Sequence, residues 1–110
     1  MNLRKGIFSL FLLLAAFALQ AQQTTVFTEA TLAHKRGVDF FNQNLYGLAQ
    51  KEFRSAMNYL RPVNEPEWKA LKTDAELFYA KCAVRLGQPE AEKLVLDFLR
   101  ENSPSPVASQ

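Results

Sequence analysis

Gly37-Val38-Asp39-Phe40 and, one turn later, Ala49-Gln50-Lys51-Glu52-Phe53-Arg54-Ser55-Ala56 decide the fold of this chain. Together they read Gly-x-x-Phe, then Ala-x-x-x-Phe-x-x-Ala. Spacings of three and four residues place each set on one face of an α-helix. The small residues let two helices approach closely, and the aromatic rings fill the space beside the contact. The pattern therefore predicts an antiparallel helical hairpin.

Working outward, four helices emerge and no alternating strand pattern does. The first spans about 28–43. Thr28 is placed to cap it, with Phe27 and Leu32 at the spacing of a hydrophobic staple. Ala33, Gly37 and Phe40 share its apolar face, and Asn44, which tolerates the left-handed conformation, ends it. The second spans about 45–60. Leu45, Ala49, Phe53, Ala56 and Leu60 line one side, while Gln50, Lys51, Arg54 and Asn58 read as solvated. Gly47 is an awkward residue for a first turn, and Pro62 closes the segment. The third begins with Asn64 and Glu67 as a capping box, with Val63 and Trp68 in the staple positions. Its stripe is Leu71, Ala75, Phe78, Cys82 and Leu86, and Gly87 is its exit. The fourth starts near Pro89, with Glu90 and Glu92 favouring the positive helix end. Ala91, Leu94, Val95, Phe98 and Leu99 form its stripe, which ends near Asn102. The expected architecture is all-α, with one hairpin over 28–60 and a second over 64–102.

The ends of the chain carry other signals. Arg4 and Lys5 precede an almost wholly apolar run from Ile7 to Leu19. That run is well short of the ~20 residues a membrane-spanning helix needs, and no second basic cluster follows it. Residues 1–21 therefore read as a secretory signal peptide, with Leu19-Gln20-Ala21 the better-placed cleavage signal and Ala16-Phe17-Ala18 a second match. An uncleaved anchor is the alternative. Residues 22–27 form a short leader. No cysteine lies near the cleavage signal, so no lipid-modified amino terminus is expected. At the other end, residues 103–110 read either as the entry to a further helix, with Ser105 capping and Pro106 in its first turn, or as a polar tail.

The full sequence has 13 basic and 11 acidic side chains, a formal net charge of +2. Loss of Arg4 and Lys5 with the signal leaves eleven of each, a neutral chain with no electrostatic footprint for nucleic acid. Its single cysteine, Cys82, cannot form an internal disulfide.

The two hairpins resemble tetratricopeptide repeats, and the ending Phe98-Leu99-Arg100-Glu101-Asn102-Ser103-Pro104-Ser105-Pro106 looks like a variant found in exported repeat proteins of the Gram-negative envelope. Gly37, Phe40, Ala49, Phe53 and Ala56 match the small and aromatic positions of that family, and Gly87 and Ala91 match the turn glycine and the following small residue. Ala33 and Arg36 depart from it, standing where a tryptophan or leucine, and a leucine, are usual. Asn44 replaces the turn glycine, and the distance from Ala49 to Ala91 exceeds the family's ~34-residue period. The resemblance implies a right-handed solenoid whose concave groove, along the first helix, is lined by Thr31, His34, Val38, Phe41 and Asn42. Phe41 beside Asn42 suits an aromatic anchor next to an amide that pairs with a peptide backbone. Packing of Phe41 against the next hairpin is the alternative. In the third helix Asp74, Lys81 and Arg85 are weaker groove candidates.

Catalytic chemistry is not expected. His34 is the only histidine and reads as exposed, Cys82 falls on an apolar stripe, and Glu65, Glu67, Asp74 and Glu76 scatter around a helix start. No glycine-rich phosphate loop, metal-ligand spacing or cofactor motif is present. The sequence points to an exported scaffold in the periplasm or at the outer membrane that binds a protein or peptide segment. Its alternative role is the amino-terminal cap of a longer repeat protein. Leu94, Val95 and Phe98 on the last helix are expected to lack part of their cover, which predicts self-association through that end.

Overall fold

The computed structural model of the chain describes residues 2–103. It is built from helix α1 (Asn2–Asn42), α2 (Tyr46–Leu60), a 3-10 turn (Pro66–Trp68), α3 (Lys69–Arg85) and α4 (Ala91–Asn102), with no strand among the described residues. The expected entry to a further helix at Ser105 and Pro106 lies outside the described residues.

α1 packs on α2, α2 on α3, and α3 on α4. Gly37 faces Phe53, and Ala33 meets Ala56, so α1 and α2 run antiparallel. α1 and α3 run side by side in the same direction. Ring and polar contacts mark this in order along both helices: Phe27 with Trp68, His34 with Asp74, Phe41 with Phe78. The helices close on each other through alanine. Ala33, Ala56 and Ala75, one from each of α1, α2 and α3, are fully buried in one cluster. A tryptophan at position 33 would find no room there. A second cluster gathers Ala49, Phe53 and Cys82, with Val38, Phe40, Phe41, Phe78 and Tyr79 packed against it.

Both first helices of the hairpins end in the same way. Asn44 has φ 63° and Gly87 φ 65°. Behind Asn44, Leu45 N–H donates to Phe40 O at 2.9 Å and Asn44 N–H to Phe41 O at 3.0 Å. Behind Gly87, Gln88 N–H donates to Ala83 O at 3.0 Å and Gly87 N–H to Val84 O at 3.1 Å. Each set is the paired six-to-one and five-to-two closure of a Schellman turn, which satisfies carbonyls the helix leaves open.

The expected start of α1, the capping box at Asn64 and the solvated Gln50 are each corrected by the structure. Thr28 does not cap a helix, because α1 runs unbroken for 41 residues. No glycine or proline lies between Ile7 and Arg36 to interrupt it. Phe27 therefore does not staple to Leu32. Its ring lies 5.0 Å from that of Trp68. The capping box at Asn64 is also absent. Glu65 precedes Pro66, which disfavours the helical region, and Glu65 sits at ψ 125°. The helix starts instead through the 3-10 turn, with Pro66 in its first positions and no side-chain cap. Gln50, finally, is not solvated. It is 6% exposed and exchanges two 2.8 Å amide hydrogen bonds with Gln88, which ties α2 to the turn before α4.

The amino-terminal part of α1 stands apart. Ile7, Leu10, Phe11, Leu12, Leu13 and Leu14 are all exposed, Phe11 to 70%. α1 is ~60 Å long at 1.5 Å per residue, in keeping with the 69 Å long axis of the molecule. Among the described residues no helix is long and apolar enough to cross a membrane.

Gly47 lies in the first turn of α2, and a Cβ there would meet nothing within 4 Å. Gly47→Ala is therefore expected to raise stability by about 0.5–1 kcal/mol, because alanine loses less backbone entropy in a helix. Chemical denaturation checks this, and a loss of stability would contradict the open space around Gly47.

Candidate functional site

The five residues expected to line a groove do not share one open surface. Thr31 and Asn42 are exposed, and the Thr31 hydroxyl donates to Phe27 O at 2.8 Å. His34 is not on the exposed side of α1. Its side chain is 19% exposed, and its Nε2–H donates to Asp74 Oδ2 at 2.5 Å. The ring is flanked edge-on by Phe53 and Phe78. Val38 is half-buried against the second cluster. Phe41 is half-buried, with Tyr46 at 5.2 Å and Phe78 at 5.3 Å between ring centroids. His34 and Phe41 thus serve the contact with the next hairpin, which was the alternative role for Phe41.

Phe41 also has a free side, and it opens onto a groove of about 370 Å³ between α3 and α4. The α3 wall is Leu77, Ala80 and Val84, and the α4 wall is Val95, Phe98 and Leu99. Among the described residues the only polar side chains lining it are Lys81 and Arg85. Lys81 Nζ lies 5.0 Å from the centre of the Phe78 ring, and the Arg85 guanidinium 5.6 Å from that of Tyr46. Both cations are thereby held at the rim by their aromatic neighbours. Val84 and Leu99 are more than half exposed, and no residue of α4 is buried. Of the groove candidates named from sequence, Phe41, Lys81 and Arg85 converge here, beside Val95 and Phe98 of the α4 stripe. Leu77, Ala80 and Val84 were not singled out. Their spacing of three and four is a second apolar stripe on α3, lying off the Leu71-Ala75-Phe78-Cys82 stripe, and it is the signal that could have found them.

A second hollow, about 490 Å³, lies at the other end of α3, bounded by Val63, Trp68, Lys72, Glu76, Glu101 and Asn102 among others. Burial pushes the Glu76 carboxyl above its ordinary value. Lys72 opposes the shift and the nearby Glu101 charge adds to it. The folded state therefore binds a proton at Glu76 more readily than the unfolded chain. That contribution favours the fold at acid pH and is lost as pH rises through the folded value. Glu76→Gln is expected to raise the melting temperature at pH 7 relative to the parent and to leave it nearly unchanged at pH 4. A loss at both pH values would show that the charged form of Glu76 supports the fold.

Cys82 is fully buried beside Phe53 and Ala49. Burial pushes its thiol up to about 11. A thiol so placed stays protonated at neutral pH and behaves as a small core group. The His34–Asp74 pair offers a base and its orienting carboxylate, yet among the described residues no hydroxyl or thiol is hydrogen-bonded to the imidazole to make a nucleophile of it. Among the described residues no three His, Cys, Asp or Glu side chains converge on a metal-sized site. What the surface offers is an apolar cleft with a basic edge. No protein-family model matches the chain, and no curated protein or solved structure matches it either.

Proposed function

We propose that this chain is an exported helical-repeat scaffold, with two tetratricopeptide-like hairpins, that binds a protein or peptide segment in the cell envelope. The observation that carries the reading is the groove between α3 and α4. α1, α2 and α3 bury alanine-lined faces on one another, whereas α4 buries no residue fully and leaves an apolar cleft open beside Phe41. Uncovered apolar surface rimmed by charge is what a docking face looks like before its partner arrives. The parallel course of α1 and α3, each closed by the same left-handed turn at Asn44 and Gly87, supports the repeat reading. Export rests on the Arg4-Lys5 start and on the exposed apolar turns that follow it. Nucleic acid is not a proposed partner, since the chain after the signal is neutral.

The test of binding is a photoreactive residue placed at Val84, in cells that export the chain, with Lys51 on the exposed side of α2 as control. A discrete adduct at Val84 alone is expected. Equal labelling at both positions contradicts the reading. Intact-mass measurement tests export separately. The exported chain is expected to start at Gln22 or an immediate neighbour, and Met1 retained in the membrane fraction contradicts it.

A second reading makes the hairpins the amino-terminal cap of a longer array, with the open α3–α4 face covered by further helices of the same polypeptide. The absence of a buried residue on α4 supports this as well. Coding sequence that continues past Gln110 into further helical hairpins would favour it.

A further inference from the structure

We infer that the occupant of the α3–α4 groove is an amphipathic helix of another protein, with carboxylates flanking its apolar face where Lys81 and Arg85 edge the cleft. The inference rests on the binding role proposed above and specifies the partner. Its first support is the polar chemistry of the walls. The groove is lined by side chains of α3 and α4, with Phe41 of α1 at one side, and all of these stand on helices whose backbone groups are largely bonded within themselves. Among the described residues its polar lining groups, Lys81 and Arg85, are donors without acceptor capacity. An extended peptide would bury its own N–H groups there without partners, at a cost comparable to lost hydrogen bonds. A helix brings its backbone already satisfied and inserts side chains at three- and four-residue spacing.

The second support is charge. Lys81 and Arg85 stand four residues apart on one side of α3, and among the described residues neither pairs with a carboxylate. On α4, by contrast, Lys93 and Arg100 both reach Asp97. Among the described residues no acidic side chain lines the groove. Two carboxylates one turn apart on an incoming helix match this rim, and they add selectivity more than raw affinity. The same charges disfavour a second copy of the chain. A two-fold pairing through this cleft sets both Lys81–Arg85 pairs along a single seam.

The test uses the full chain and two labelled helical peptides of ~20 residues, long enough to hold a helix. They share one leucine face and differ only in carrying glutamate or lysine beside it. Anisotropy at low salt is expected to show the glutamate peptide binding roughly ten-fold more tightly, the size of two modest charge pairs. Lys81→Glu/Arg85→Glu should reverse the preference, and Val84→Asp should abolish binding of both. Equal binding of the two peptides, lost in Val84→Asp, overturns the acidic partner and leaves the binding role standing. Binding untouched by Val84→Asp, or no binding of either peptide, overturns both. A dimer in sedimentation that Val84→Asp disperses would assign the groove to a second copy, and binding of anionic vesicles in place of peptides would assign it to a membrane; either overturns the inference.

Discussion

Phe53→Ala is expected to cost about 3–5 kcal/mol, the range for emptying a buried phenylalanine site. Phe53 is fully buried and is the largest side chain that is. Its ring stacks on Phe78 at 5.0 Å and 15° and receives the edge of His34 at 5.7 Å. It also fills the notch above Gly37. Truncation removes a side chain of α2 that packs on both α1 and α3, so the loss should appear as a single lowered transition, not as local fraying. Phe41→Ala is the comparison. Phe41 is half-buried and makes two ring contacts, which sets its expected cost nearer ~1–2 kcal/mol. Equal costs for the two in chemical denaturation would mean that Phe41 is a core residue and that its open side is closed in solution.

Gly37→Ala is expected to destabilise by about 1–3 kcal/mol although it lies within a helix, where alanine is ordinarily favoured by ~1 kcal/mol. A Cβ at position 37 would sit 2.7, 2.8 and 2.9 Å from Cε1, Cζ and Cδ1 of Phe53. The ring cannot retreat, because Phe78 lies stacked on it and His34 abuts its edge. The outcome should change sign when the obstacle is removed. In a Phe53→Ala background, Gly37→Ala should be neutral or stabilising, and a double-mutant cycle measures the difference. If Gly37→Ala stabilises the parent chain as well, α1 and α2 are further apart than described.

Local chemistry accounts for what was legible in the sequence. α2 could be read nearly to the residue because its apolar face closes on neighbours along its length, from Ala49 to Leu60. Asn44 and Gly87 could be read because few residues other than asparagine and glycine tolerate a left-handed φ. The start of α1 could not, since the sequence offers a cap at Thr28 but no residue that stops the helix before it. The capping box at Asn64 lost to Pro66, a restriction acting on the residue between them. His34 and Gln50 were misplaced for one shared reason. Each is a polar residue buried by a partner roughly forty positions away, Asp74 and Gln88, and such pairing leaves no periodic trace. The groove was half legible. Phe41 stood out as an aromatic off the main stripe, whereas Leu77 and Val84 were masked by the stronger stripe beside them.

The central claim is that α4 and the adjoining face of α3 form an open docking surface on an otherwise closed stack. Amide hydrogen exchange of the full chain, alone and with the glutamate-bearing helical peptide, tests it most directly. In the free chain, residues 92–102 of α4 are expected to exchange faster than residues 53–60 of α2, because α4 buries no side chain fully. Peptide should then slow exchange over 77–85 and 92–102 and leave residues 28–36 of α1 unchanged. A free monomer whose α4 is protected as strongly as α2, or a peptide that slows exchange only outside α3 and α4, would contradict the account.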